Sequence, residues 1–142
     1  MSIKLGADEM RYIALFEGLT MAKVYDCIIH ENDTKLTFVV KAGDIGLAIG
    51  KGGNTIQKAK RVIGKSVEIV EHSADPVEFV KNALAPARVR RVNIVEREGK
   101  KIAFIDVEEQ DRGIAVGREG KRIRCAKKLV LRHHGIQDIS LV

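Results

Sequence analysis

The chain has 142 residues, of which 45% are hydrophobic and 31% charged, a composition typical of one globular domain or two small ones. It contains no run of about 18 apolar residues, and its first residues lack the apolar stretch of a signal peptide, so we expect a cytoplasmic protein without a membrane partner. The net charge of +6 suits a polyanionic partner, whereas four Phe, two Tyr and no Trp argue against binding by base stacking.

The positive charge is concentrated in the second half of the chain. Residues 1–75 carry ten Lys or Arg and ten Asp or Glu, whereas residues 76–142 carry fifteen and nine. The whole excess therefore lies in residues 76–142. Such an asymmetry predicts that an anionic partner contacts this half.

The first half of the chain predicts, in order, a helix, two strands, a short helix, a glycine-rich loop, a longer helix and a strand. Their expected limits are 7–20, 23–31, 35–42, 44–49, 50–53, 54–63 and 65–71. Asp8 and Glu9 favour the dipole of the first helix. Asp44 is the expected cap of the short helix, and Gly64 is expected to end the longer one.

The second half predicts the same order of elements. Asp75 as N-cap, Pro76 at the first helical position and Glu78 as the acid of a capping box mark a helix that Pro86 ends. Strands at 91–98 and 100–108, a short helix, a loop at 117–120, a helix to about residue 134 and a strand at 136–142 complete the list.

An internal repeat relates the two halves. A shift of 67 residues places "GLAIGKGGNTIQKAK" (46–60) over "GIAVGREGKRIRCAK" (113–127), with seven identical pairs, and also places Asp44 over Asp111. We therefore predict two domains, residues 1–74 and 75–142.

The repeated loops do not have the pattern of a nucleotide-binding loop. In a Walker A alignment Ile45 takes the place of the first glycine and Gly52 that of the Ser or Thr, and no G-x-G-x-x-G occurs in either copy. A helix–G-x-x-G–helix corner instead leaves backbone that carries no Cβ atoms, and the N-terminus of the next helix adds positive potential. A sugar-phosphate strand could lie against such a corner.

The helices after the loops are predicted to pack one face and expose a basic one. At about 100° per residue, two apolar faces are expected, formed by Ile56, Ala59, Val62 and Ile63, and by Ile123, Ala126, Leu129 and Val130. The opposite faces carry Lys58 and Arg61 in the first copy, and Lys121, Arg124, Lys128 and Arg132 in the second. Each basic face fits either a polyanion or ordinary solvation; no acid follows Glu119 in the second helix, which favours a polyanion there.

Two pairs of residues beside the loops allow two interpretations each. Gly46 and Gly113 lie inside the short helices, where glycine costs about 1 kcal/mol relative to alanine, so either a ligand or a neighbouring helix is expected to approach closely. Ile49 and Val116 are expected in the core, with an apolar floor beneath bases as the alternative.

No arrangement of residues predicts catalysis or metal binding. His133 and His134 are adjacent and lack a third ligand, and Cys27 and Cys125 form no C-x-x-C pair. No triad or paired-carboxylate site is evident. We therefore expect no enzyme, no metal, no cofactor and no small-molecule substrate.

Two units of order α-β-β-α-α-β, with "IGKGG" (49–53) and "VGREG" (116–120) at a helix corner, resemble tandem type II KH domains. More closely, the whole chain resembles the archaeal NusA-like family of transcription termination/antitermination factors. The resemblance implies an α+β fold in two layers, with a three-stranded mixed sheet covered by helices in each domain.

The resemblance also implies single-stranded RNA, in particular the nascent transcript, as the ligand, with RNA polymerase or other transcription factors as further partners. A ribosome-associated or assembly KH protein that acts mainly through protein contacts is the alternative. Glu119 places an acid where a phosphate should approach. The candidate RNA-binding residues are Gly50, Lys51, Gly52, Gly53, Asn54, Lys58, Arg61, Gly117, Arg118, Glu119, Gly120, Lys121, Arg124 and Lys128.

Overall fold

The structure, a computed structural model, describes residues 3–142, apart from the side chain of Asn32. The chain divides into two compact units, an N-terminal unit that ends at His72 and a C-terminal unit from Ser73 to Val142. This division falls two residues before the limit that we predict between the two KH domains, and the domain limits 1–74 and 75–142 themselves stay a prediction.

Both units have the predicted order of helices and strands. The N-terminal unit contains α1 (Ala7–Thr20), β1 (Val24–Ile29), β2 (Lys35–Val40), α2 (Ile45–Ile49), α3 (Asn54–Ile63) and β3 (Ser66–Glu71). The C-terminal unit contains α4 (Pro76–Leu84), β4 (Val89–Arg97), β5 (Lys100–Val107), α5 (Arg112–Val116), α6 (Lys121–His134) and β6 (Ile136–Leu141). The α+β class is confirmed.

Each unit has a three-stranded mixed sheet, as predicted. The orders are β1-β2-β3 and β4-β5-β6; the first two strands of each sheet pair antiparallel and the last two parallel. Phe38 in the central strand β2 lies opposite Cys27 of β1 and Ile69 of β3. In the C-terminal unit, Ile105 of β5 has the corresponding central place.

The helices that flank each glycine loop are anchored in the core by small residues. Ala48 of α2 and Ala59 of α3 are completely buried, in one cluster with Phe16 and Phe38, whose rings stack with centroids 4.2 Å apart. The equivalent Ala115 and Ala126 of the C-terminal unit are also completely buried. Since alanine lets helix backbones come close to their neighbours, these positions fix where each loop emerges from its unit.

The predicted limits of helices are more accurate than those of strands. Helix α1 spans the predicted 7–20, and α3 and α6 end at Gly64 and Gly135, both left-handed. Strand β1 is shorter than predicted because a 3₁₀ turn over Glu31–Asp33 follows it, and β4 begins two residues earlier than predicted. The turn between β4 and β5 places Glu98 and Gly99 at φ 53° and 78°, which matches the twist of an antiparallel pair.

The start of α4 confirms the predicted N-cap but not the capping box. The Asp75 carboxylate accepts a hydrogen bond from the Val77 N–H at 3.0 Å, as expected of an N-cap. The Asp75 N–H, however, donates to Ser73 Oγ at 3.1 Å, and Glu78 forms an ion pair with Lys81 at 3.7 Å. The predicted capping-box role of Glu78 is therefore wrong, because a nearer hydroxyl satisfies the same N–H.

The predicted capping role of Asp44 is wrong as well. Its side chain accepts from the Lys23 N–H, 2.9 Å away, and makes no cap hydrogen bond to α2. Asp111 does the same in the second copy and accepts from the Arg88 N–H at 2.8 Å. Each aspartate thus ties the turn before the short helix to the residue preceding β1 or β4, which holds the helix corner on its sheet.

Arg88 also pairs with Asp111 through its side chain. Its Nε lies 2.9 Å from Asp111 Oδ2, and the Asp111 side chain is only 8% exposed. The hydrogen bond from the Arg88 guanidinium, helped by the backbone N–H, holds the pKa of Asp111 below its usual range.

Candidate nucleic-acid interface

The first glycine of each loop is required by the backbone. We call Gly50 to Gly53 the first loop and Gly117 to Gly120 the second loop. Gly50 lies at φ 76°, ψ 171° and Gly117 at φ 78°, ψ 172°, a region that essentially only glycine occupies. A Cβ on Gly50 would also come within 2.8 Å of the Thr55 nitrogen. Glycine at this position therefore lets the next helix begin directly against the loop.

The two loops have the same backbone conformation but different residues at the third position. Gly52 has φ 62° and Glu119 has φ 56°, and the final glycines, Gly53 and Gly120, have φ 79° and 73°. A left-handed conformation is uncommon for a residue that carries a Cβ. Glu119 is therefore held in a conformation that glycine adopts readily in the first loop.

Each loop leads into the N-terminus of a helix that no side chain caps. Gly53 is the N-cap of α3 and Gly120 that of α6, and neither helix start has a side-chain cap hydrogen bond. The N–H groups of a first helical turn lack partners within the helix and carry partial positive charge. Both loops thus present positive backbone potential beside bare glycine.

The basic residues of the first loop and of α3 are available to a ligand. Lys51, Lys58 and Arg61 are exposed, and within residues 3–142 none of them has a hydrogen bond or ion pair through its side chain. Asn54, the first residue of α3, is also exposed. The charge along this face is therefore not neutralised by acids of the chain.

The basic residues around the second loop differ from those of the first loop because one of them is hydrogen-bonded to the loop itself. Arg118 and Lys128 are exposed and Lys121 is half-buried, and in the described part of the chain their side chains have no partner. Arg124 is engaged: its Nη1 donates to the Glu119 carbonyl at 2.6 Å. Arg132, on the last turn of α6, is half-buried.

Two apolar residues that we predict in the core are exposed. Ile49, at the end of α2, is 39% exposed, and Val62 is 53% exposed. Val62 lies about 60° from Ala59 on the side away from Ile56 and Ile63, so it falls outside the buried stripe that those three form. Together with Leu47, which is half exposed, these side chains form apolar surface on the helices that flank the first loop.

The predicted apolar face of α6 is confirmed. Ala126, Leu129 and Val130 are buried and Ile123 is half-buried, while Val116 before the second loop is also half-buried.

Gly46 and Gly113 do not pack against another helix. Both are exposed, and a Cβ on either would meet no atom within 4 Å outside its own helix backbone. Of the two interpretations given above, close packing is therefore wrong, and the surface beside each loop is open. The edge strand β3 runs alongside, in contact with α2 and α3.

Sequence patterns did not point to two contacts that hold the second loop. Arg122 Nη1 donates to the Ile114 carbonyl at 3.0 Å, which links the start of α6 to α5. The other is the bond from Arg124 to Glu119. Neither residue has an equivalent in the first copy, where Thr55 and Gln57 stand instead, so this difference between the copies was the one available signal.

Residues 3–142 contain no group of three His, Cys, Asp or Glu side chains placed to hold a metal ion. Over the same residues no helix is long and apolar enough to cross a membrane.

Comparisons with known proteins agree with this architecture. A family model described as "KH domain" matches residues 10–81, and one described as "NusA-like second KH domain" matches residues 76–141. The fold and the two glycine corners are thus those of a tandem KH-domain protein.

The similarity to known proteins extends over nearly the whole chain. "Probable transcription termination protein NusA" of Halobacterium salinarum is 38% identical to this chain, and the match covers 99% of both chains. The protein of the same name from Methanocaldococcus jannaschii is 36% identical, and the match covers 99% of this chain and 75% of that protein. The solved structure "Crystal structure of APE1850" superposes with a TM-score of 0.82 at 34% identity and covers 97% of this chain and all of that one. The chain belongs to the NusA family of KH-domain proteins.

Proposed function

We propose that this protein binds single-stranded RNA through its two glycine loops and takes part in transcription termination or antitermination. The observation that carries the proposal is that one glycine corner occurs twice, each time with an uncapped helix start and an exposed cation, Lys51 or Arg118, whose side chain has no partner in residues 3–142. The relatives named for transcription termination support the same role. It is a binding role, and we propose no enzymatic activity.

In the first loop, we assign the phosphate contacts to Gly50, Lys51, Gly52 and Gly53. The glycines let the sugar-phosphate backbone approach the main chain, and the exposed Lys51 ammonium supplies a charge that no acid of the described residues neutralises. Asn54, Lys58 and Arg61 would continue the contact along α3.

In the second loop, the same role falls to Gly117, Arg118, Gly120 and the main chain of Glu119, followed on α6 by Lys121 and Lys128, while the Arg124 guanidinium is bonded to the loop itself. Arg118 and Lys128 are exposed and have no partner in residues 3–142. Arg118, Lys121, Arg124 and Lys128 together are four of the fifteen cationic residues in the second half of the chain.

Contacts to phosphate and backbone carry no base identity, so we expect binding with little sequence preference. The exposed apolar side chains of Leu47 and Ile49 would provide a surface for bases beside the first loop. A nascent transcript, which is single-stranded and of any sequence, is a ligand of this kind.

The direct test replaces Lys51→Asp together with Gly52→Asp. Asp is among the residues that best tolerate the left-handed φ of 62° at position 52, so the fold should be kept while two acids enter the phosphate path. We expect the affinity for single-stranded RNA to fall by at least about tenfold, which corresponds to about 1.4 kcal/mol.

The chain offers a matched control in Gly99→Asp with Lys100→Asp. Gly99 also has a positive φ, 78°, and its Cβ position is open; it lies in the β4–β5 turn and Lys100 is the first residue of β5, at the other end of that strand from α5. The change in charge is the same. Equal losses of affinity in both variants, or no loss in the first with an unchanged circular dichroism spectrum, would remove the first loop from the interface.

Salt dependence tests whether phosphates are bound at all. The logarithm of the affinity should fall linearly with the logarithm of salt concentration, with a slope of about −0.7 for each phosphate neutralised on a single strand. A flat response would favour the alternative of a protein that acts through protein contacts.

Crosslinking in cells, followed by sequencing of the bound RNA, tests the process. Nascent transcripts are the expected targets, and recovery of ribosomal RNA alone would contradict a role in transcription. RNA polymerase or another transcription factor is the further partner that we propose. Co-purification that survives nuclease treatment is the expected result for a direct contact.

A further inference from the structure

The second loop carries a contact that the first loop lacks. The guanidinium of Arg124 folds back over the second loop, with Nη1 2.6 Å from the Glu119 carbonyl. The same nitrogen lies 3.1 Å from the point where a Cβ on Gly120 would stand. Over the equivalent Gly53 no atom lies within 4 Å of that point, and Gln57 occupies the place of Arg124.

This contact occurs in the loop in which glutamate replaces glycine at the third position, a replacement that makes the left-handed conformation harder to form. Glu119 has φ 56°, where a Cβ is unfavourable, while Gly52 reaches φ 62° without that penalty. A hydrogen bond from a charged guanidinium to a carbonyl is among the stronger ones, and here it holds the peptide that follows Glu119. The second loop therefore uses a side-chain hydrogen bond to hold a conformation that glycine lets the first loop adopt without strain.

We infer that Arg124 is a positioning residue, which holds the second loop in its RNA-binding conformation by fixing the left-handed Glu119. Its place on the basic face of α6 predicts that Arg124 contacts RNA; as a positioning residue it has a different role. The inference deepens the proposed function and rests on it only for the consequence on RNA binding.

The test is a cycle of variants in which the second loop is converted to the residues of the first. Arg124→Gln should lower the affinity for a labelled oligouridylate by roughly fivefold, as the loss of one hydrogen bond implies. In the Glu119→Gly background the same change should cause little loss, because glycine keeps the conformation unaided. The double variant also has the same net charge as the natural protein, so charge alone cannot explain the recovery.

Lys128→Gln is the matched control. Lys128 is an exposed cation four residues further along α6, with no side-chain partner in the described chain. Its loss should lower the affinity by the same factor in the natural background and in the Glu119→Gly background, since a phosphate contact does not depend on the residue at position 119. The same behaviour from Arg124→Gln would overturn the inference, as would a rise in affinity.

Amide hydrogen exchange measured without RNA decides the positioning role by itself. The Gly120 N–H donates to the Gly117 carbonyl at 3.1 Å, so its protection reports whether the loop is formed. Arg124→Gln should accelerate its exchange in the protein with Glu119 and leave it unchanged after Glu119→Gly. Equal protection in all four proteins would overturn the inference. Absence of RNA binding by the natural protein would instead remove the proposed function and leave the exchange result to stand.

Discussion

Replacing Gly46 with alanine should make the protein more stable and a weaker RNA binder. Gly46 lies inside α2 with an ordinary negative φ, is exposed, and a Cβ would meet no neighbour outside its helix. Alanine restricts the unfolded chain without strain in the fold, so the free energy of unfolding should rise by about 0.5–1 kcal/mol. Within residues 3–142, no contact at the Cβ position accounts for glycine here.

The loss of affinity follows from the space beside the loop. If an RNA backbone approaches the open face of α2, an added methyl group occupies a place where the strand should lie. Overpacking of a close contact costs about 1–3 kcal/mol, so the affinity should fall at least about fivefold. The two effects have opposite signs, which separates a role in binding from a general loss of structure.

Gly18→Ala provides the comparison. Gly18 is exposed on α1, and its Cβ position is open as well. Urea unfolding followed by circular dichroism should show a similar gain for both variants, and fluorescence anisotropy with labelled RNA should show a loss of affinity for Gly46→Ala alone. A lower stability of Gly46→Ala would refute the structural reasoning. Higher stability with unchanged affinity would show that RNA does not approach this face.

Three further predictions concern stability. Gly50→Ala should lower the free energy of unfolding by about 2 kcal/mol or more, because φ 76°, ψ 171° excludes a Cβ and the next helix lies against this position. Gly52→Ala, at an ordinary left-handed φ, should lower it by about 1 kcal/mol. Urea titrations that show the reverse order would contradict this. Arg88 lowers the pKa of Asp111 in the folded protein, so the Asp111 carboxylate stabilises the fold above its ordinary pKa of about 4. This stabilisation is lost as the pH falls through the lowered pKa. Asp111→Asn should therefore reduce the Tm at pH 7, and the Tm difference from the natural protein should shrink in acid. Asp75→Ala removes the N-cap of α4 and should cost about 1 kcal/mol in thermal unfolding at neutral pH, and a neutral effect would show that the Val77 N–H finds another partner.

The repeat, rather than the glycines of either copy alone, made the fold predictable and pointed to the candidate site. Gly50 to Gly53 by themselves fit several kinds of loop, but the copy at Gly117 fixed the helix–loop–helix setting and the order of elements. The helix end at Gly64 could be predicted because a left-handed C-cap is a local requirement, and α6, expected to end at about residue 134, has the same kind of C-cap in Gly135. Strand ends depend on pairing partners elsewhere, and so β1 and β4 differ from their predicted limits.

The failures have physical causes that single residues do not reveal. Helix α2 has five residues, too few for periodicity to show that Ile49 faces outward. Asp44 has the residue type and place of an N-cap, yet its carboxylate reaches the N–H of Lys23, which is distant in sequence. Arg124 belongs to the basic face of α6, and only the folded structure shows that its long side chain turns back onto the second loop.

Comparison of the two copies separates residues that the fold requires from residues that a ligand requires. Ala48 and its equivalent Ala115 are identical because both are completely buried, and the first glycines of the loops are identical because their backbone excludes a Cβ. Gly46 and Gly113 are identical as well, but they are exposed, helical and free of neighbours at the Cβ position. Since neither packing nor backbone strain within residues 3–142 demands glycine there, we expect the requirement to come from a ligand. An RNA strand that lies against the short helix on its way to the adjoining loop would impose it in each copy.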